Sequence, residues 1–112
     1  MRYLMLICGP EFEASSEDEA AMMKEYDAFG NEMGQRGVLR GGERLHASSD
    51  ATTVQVRDGK VLTSDGPFAE TKEQIGGYFV VECDDLDAAI DVASKIPGAR
   101  FGSIEVRPIW EM

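Results

Sequence analysis

The sequence predicts an α+β fold, a single sheet of core strands with helices laid against it. Three observations predict it. Apolar runs of strand length alternate with two amphipathic stretches of helical period. An Asp-Gly pair stands between two alternating runs, the pattern of a tight hairpin. A chain of 112 residues with 43% hydrophobic content suits one domain, residues 1–112, with one core.

Residues 3–8, "YLMLIC", are apolar in both alternating sets, Tyr3/Met5/Ile7 and Leu4/Leu6/Cys8. Such a strand is covered on both faces. Ser16 opens a helix: with Glu19 it forms a capping box, and Glu17, Asp18 and Glu19 suit the positive end of the helix dipole. Met22, Tyr26, Phe29 and Met33 make its apolar stripe, and Gly37 stops it. Residues 38–46 are extended but interrupted by Gly41-Gly42, a bulge or a close backbone approach. "TTVQVRDGKVLTSD" folds back at Asp58-Gly59, with Val54, Val56, Val61 and Leu62 expected on its inner face.

Residues 75–83 form a further strand with Phe79, Val81 and Cys83 on one side and Tyr78 and Val80 on the other. Asp84-Asp85 then cap a helix whose stripe is Leu86, Ala89, Ile90, Ala93 and Ile96, ended by Pro97-Gly98. Residues 103–110 close the chain as a half-buried strand with Ile104, Val106 and Trp110 inward. The order is that of a split βαβ repeat, a ferredoxin-like protomer with an inserted β-hairpin. Two helices cover one face of the sheet, yet two central strands are apolar on both. A second copy of the sheet covers the other face most economically, so a homodimer is expected. Cys8 and Cys83 fall at the far ends of antiparallel neighbours and are expected as buried, unbridged thiols.

A net charge of -10 argues against nucleic acid or an anionic membrane as partner, since both need positive charge to displace counterions. No run approaches the roughly 20 apolar residues of a membrane span, and the start "MRYLMLICGPEFE" has too short an apolar run for a signal peptide. A cytoplasmic location is the default. Neither cysteine has His or Cys neighbours at metal spacing, and no phosphate loop or dinucleotide motif occurs, so no metal or cofactor is expected.

The chemistry concentrates in "TSDGPFAETKEQIGGY". Asp65 either shapes the turn before Pro67 or offers a rigid carboxylate as base or orienter. His46, the single histidine, shares a proton readily near neutral pH, so a His46–Asp65 pair reads as a general base with its orienter. The plainer alternative is a solvent-exposed strand-end histidine. Glu70, Lys72 and Glu73 are either exposed ion pairs or an anion clamp in which Lys72 is steadied by a neighbouring carboxylate. Arg44 and Arg107 are further candidate anion contacts, and Phe68 and Tyr78 are candidate apolar walls for a substrate.

That same run, with "RYLMLICG", "YDAFGNEM", "GVLRGGERL" and "TTVQVRDGK" upstream, resembles the DGPF group of YCII-related domain proteins over nearly the whole chain. The resemblance implies a dimeric α+β barrel of ferredoxin-like protomers and a His–Asp pair in a cleft. Asp65 lies in the matching motif, whereas many relatives of this group carry Gln where this chain has His46. It also implies a setting beside extracytoplasmic-function sigma factors. Two functions are therefore expected as alternatives. One is a homodimeric binder of a small anionic or polar organic ligand, with or without lyase- or isomerase-like proton transfer through Asp65 and His46. The other is a regulatory interaction module whose partner is a sigma factor.

Overall fold

The structure is a computed structural model that describes residues 1–10, 16–68 and 73–111. Among the described residues, the chain runs β1 (Arg2–Gly9), α1 (Ser16–Arg36), β2 (Leu39–Arg44), β3 (Thr52–Arg57), β4 (Lys60–Asp65), β5 (Gln74–Glu82), α2 (Leu86–Ser94) and β6 (Ser103–Pro108). One-turn 3-10 helices at Ser48–Asp50 and Pro97–Arg100 link β2 to β3 and α2 to β6. The fold is α+β, and its sheets are antiparallel.

Four strands form the main sheet in the order β2-β5-β1-β6. β1 and β2 both run antiparallel to β5, so they are parallel to each other with β5 between them. Parallel strands need a crossover, and α1 supplies it. The pair β3–β4 is a separate two-stranded sheet. It turns at Asp58 and Gly59, whose φ of 52° and 74° are the two positive angles of the expected tight hairpin.

The core lies on one face of the main sheet. Tyr3 and Met5 of β1 stand opposite Val81 and Phe79 of β5. Against them pack Phe29 and Met33 of α1, and Ala89, Val92, Ala93 and Ile96 in and after α2. The Phe29 and Phe79 rings meet at 4.9 Å between centroids. Met5, Met33, Val81 and Ile96 are fully enclosed, each worth about 1.5–3 kcal/mol over exposure. α1 ends as its sequence predicts: Gly37 N–H bonds Gly34 O at 3.1 Å and Val38 N–H bonds Met33 O at 3.2 Å, the paired closure that a glycine at this position permits.

The other face carries Leu4 and Leu6 of β1 opposite Val80 and Tyr78 of β5, all half-buried. Both helices lie on the first face, so this apolar strip has none across it. Charged residues flank it: Glu43 is level with Tyr78, Arg107 with Leu4 and Glu105 with Leu6.

Three expected placements are corrected. The buried stripe of α2 runs Ala89, Val92, Ala93, Ile96, while Leu86 and Ile90 face solvent. Steps of three, one and three are an equally good helical stripe, and its small alanines let the short helix press closer to the sheet. Trp110 is 89% exposed, because β6 stops at Pro108 and pairing reaches no further than the Ile109 N–H on Arg2 O. The expected inner face of the hairpin is exposed: Val54, Val56 and Val61 are 59%, 58% and 68% exposed, and Leu62, which pairs with Gln55 on the opposite side, is 48% exposed.

The cysteines are free and sit at opposite ends of the β1/β5 ladder. Cys8 faces Ile75, while Cys83 follows Glu82, which is opposite Arg2. Burial raises both thiol pKa values above the ordinary cysteine value.

Candidate functional site

The chain leaves β2 at Arg44, and Leu45 adds one more ladder bond, its N–H to Gly76 O at 2.9 Å. The Ser48–Asp50 turn then reverses direction, closed by Asp50 N–H on Ala47 O at 2.9 Å and Ala51 N–H on Ser48 O at 3.0 Å. This single turn of helix places residues 46 and 50 side by side. His46 Nδ1 lies 3.4 Å from Asp50 Oδ2. That is an ion-pair distance rather than a tight hydrogen bond; catalytic contacts of this kind commonly shorten when a ligand arrives.

Below the pair opens a cleft of about 590 Å³. The Leu45–Ala51 connection forms one wall, Pro67 and Phe68 another, and Glu73, Gln74 and Ile75 at the start of β5 the third. Leu45, Phe68 and Ile75 give it an apolar body; His46, Asp50 and Glu73 give it polar atoms. A bulge in the β1/β5 ladder, between the Ile7–Gly77 and Cys8–Ile75 pairs, turns Ile75 to the side of Cys8. The cleft therefore opens onto the same face as Leu4, Leu6, Tyr78 and Val80.

The expected site residues that are described separate into three groups. His46 and Phe68 line the cleft, and both are strongly exposed. Tyr78 lies farther along the open face, against Leu6. Asp65, Arg44 and Arg107 stand away from the cleft lining. Asp65 ends β4 opposite Thr52, and the adjoining turn is tied by its neighbour: Gly66 N–H bonds Ala51 O at 2.7 Å, and Thr53 Oγ1 donates to Gly66 O at 2.8 Å. The carboxylate 3.4 Å from His46 is that of Asp50. Arg44 is paired with Glu19 of α1 at 3.3 Å, and Arg107 sits 3.8 Å from Glu105. Glu70 and Lys72 lie outside the described residues. Asp50 is the residue that sequence reasoning missed; its signal was the four-residue spacing from His46, which faces only if the linker makes a helical turn.

A second hollow of about 400 Å³ lies on the helical side, between α1 and the Pro97–Arg100 turn. Its charges are engaged with each other: Arg100 pairs with Glu25, and Lys95 bonds Asp91 at 3.0 Å. The cleft at His46 is the more chemically equipped of the two. Among the described residues no group of three or more His, Cys, Asp or Glu is placed to hold a metal ion, and no helix is long and apolar enough to cross a membrane.

The model of the YCII-related domain matches residues 1–112. An uncharacterized protein of Rhizobium meliloti (strain 1021) is 36% identical over 97 residues, covering 85% of this chain and 78% of that one. With a match along its full length, the chain belongs to the YCII-related domain family.

Proposed function

We propose that the chain works as a homodimer that binds a small polar organic compound with an apolar body in the His46 cleft, and that it moves a proton there. The observation that carries this reading is the His46–Asp50 pair, 3.4 Å apart at the mouth of a 590 Å³ cleft. A hollow of this size, mostly apolar with a few converging polar atoms, is the usual form of a small-molecule site. An Nδ1–H aimed at Asp50 fixes the imidazole and leaves Nε2 to accept a proton from a bound compound. Asp50 then stabilises the imidazolium. Phe68 and Ile75 supply the apolar contact, and this reading gives Asp65 the lesser part of ending β4 where the turn begins.

The homodimer is supported by the bare strip Leu4, Leu6, Tyr78 and Val80. The strand order β2-β5-β1-β6 with both helices on one side supports a ferredoxin-like protomer, and two such sheets face to face make a dimeric α+β barrel. In one chain His46 is 91% exposed, so the second copy also serves to shelter the cleft.

The test is a thermal-shift screen of small carboxylic acids, lactones and phenols on the wild type, His46→Ala and Asp50→Asn. A compound that stabilises the wild type and loses its effect in His46→Ala supports the cleft. Compounds that stabilise all three equally bind elsewhere and contradict it. For a hit, exchange of its acidic C–H in D₂O, present in wild type and lost in His46→Ala, distinguishes turnover from plain binding. The net charge of -10 favours one second reading, a module that engages a basic regulatory protein such as a sigma factor. Capture of such a factor, undiminished in His46→Ala, is the result that favours it.

A further inference from the structure

The hairpin β3–β4 wears its apolar side outward. Residues paired across an antiparallel ladder share a face. Val54 faces Thr63 and Val56 faces Val61, so the three valines form one patch with Thr52, Thr63 and Asp65 around it. On the reverse, Thr53 and Gln55 are half-buried. The whole of β4 is exposed, and Leu62 on the reverse, opposite Gln55, is 48% exposed, so the hairpin stands out from the chain with its valines in water. Among the described residues it has no strand pairing with the main sheet, and an isolated two-stranded hairpin is marginal in water.

We infer that the β3–β4 hairpin is an arm whose Val54/Val56/Val61 face is seated on a second copy of this chain. The size of the exposed surface fits a second copy as the occupant. The chain exposes 8084 Å², whereas a compact protein of 12.3 kDa exposes about 6,100 Å². The excess, about 2,000 Å², is on the scale that specific protein interfaces bury. The radius of gyration, 15.9 Å, likewise exceeds the roughly 13 Å of a compact chain this long. The arm is also rooted in the cleft wall: Ala51, which lines the cleft, immediately precedes β3 and accepts the Gly66 N–H. A copy held by the arm lies next to His46, so the arm ties assembly to the site. This inference rests on the homodimer proposed above and adds to it a named contact surface.

The experiment is sedimentation velocity on a dilution series of the full-length wild type, Val54→Asp/Val56→Asp and the near-isosteric Val54→Thr/Val56→Thr, with far-UV circular dichroism as the check on folding. Amide hydrogen exchange of the hairpin in the wild type accompanies it. The expected result is a dimer dissociation constant raised about tenfold or more in the Asp pair and in the same direction in the Thr pair. Hairpin amides should be protected at concentrations where the wild type is dimeric and lose protection on dilution. Should the Asp pair fail to fold, the Thr pair and the exchange data decide. Variants as tightly dimeric as the wild type, or hairpin amides unprotected in the dimer, overturn the arm while leaving the homodimer in place. A wild type that stays monomeric throughout overturns both.

Discussion

At Gly42 the backbone of β2 passes so near β5 that a Cβ would strike the Phe79 ring and the Tyr78 carbonyl oxygen, whereas a Cβ on Gly41 meets open space. Gly42→Ala should therefore lose about 1–3 kcal/mol in urea unfolding and Gly41→Ala no more than about 0.5 kcal/mol. Equal losses at the two sites would contradict the close approach. Cys83 is held buried with its pKa raised by that burial, so its thiolate is scarce at neutral pH. It should react slowly with iodoacetamide in the folded protein and promptly in denaturant. Asp91 receives a hydrogen bond from Lys95 and a further one from Arg36, which hold its carboxyl below the ordinary value. The stability this confers is present above the ordinary Asp pKa of about 3.9 and disappears as pH falls through the lowered folded value. Asp91→Asn should thus be slightly less stable than wild type at neutral pH, and the two should converge in strong acid. At this scale His46 was legible because it is the chain's single histidine. Asp50 was not, because its approach to His46 is made by one turn of 3-10 helix that the polar residues 48–50 do not announce. Asp65 drew attention by its place in a conspicuous turn, where, among the described residues, Gly66 and Thr53 make bonds that tie the turn to β3.

Among the elements, local signals of fixed geometry were read well. Asp85 caps α2, its side chain accepting the Ala88 N–H at 2.8 Å, and Asp85→Ala should cost about 1 kcal/mol in chemical denaturation. An unchanged midpoint would mean the cap is replaced by a neighbour such as Asp84. The Asp58-Gly59 turn and the Gly37 stop follow from backbone angles that few residues adopt, so sequence determines them almost alone. Which side of an element is buried depends instead on what packs against it. α2 offered two stripes of comparable quality, and packing against β6 and the shared core selected the one with Val92. The hairpin valines look like an inner face in sequence; within one chain they are an outer one.

For the molecule as a whole, the order of elements and the two-sided apolarity of β1 and β5 were both visible in the sequence, and together they define the open face. The extent of that face was not, because it depends on where the hairpin lies and on Trp110 ending outside the sheet. A cleft whose histidine is bathed in solvent, a hairpin with its valines outward and an apolar strip that neither helix covers would all be met by the second copy we propose. The direct test is the mass of the wild-type protein in solution by light scattering at micromolar concentration. The account predicts a folded particle of twice 12.3 kDa. A well-folded particle of 12.3 kDa would contradict it.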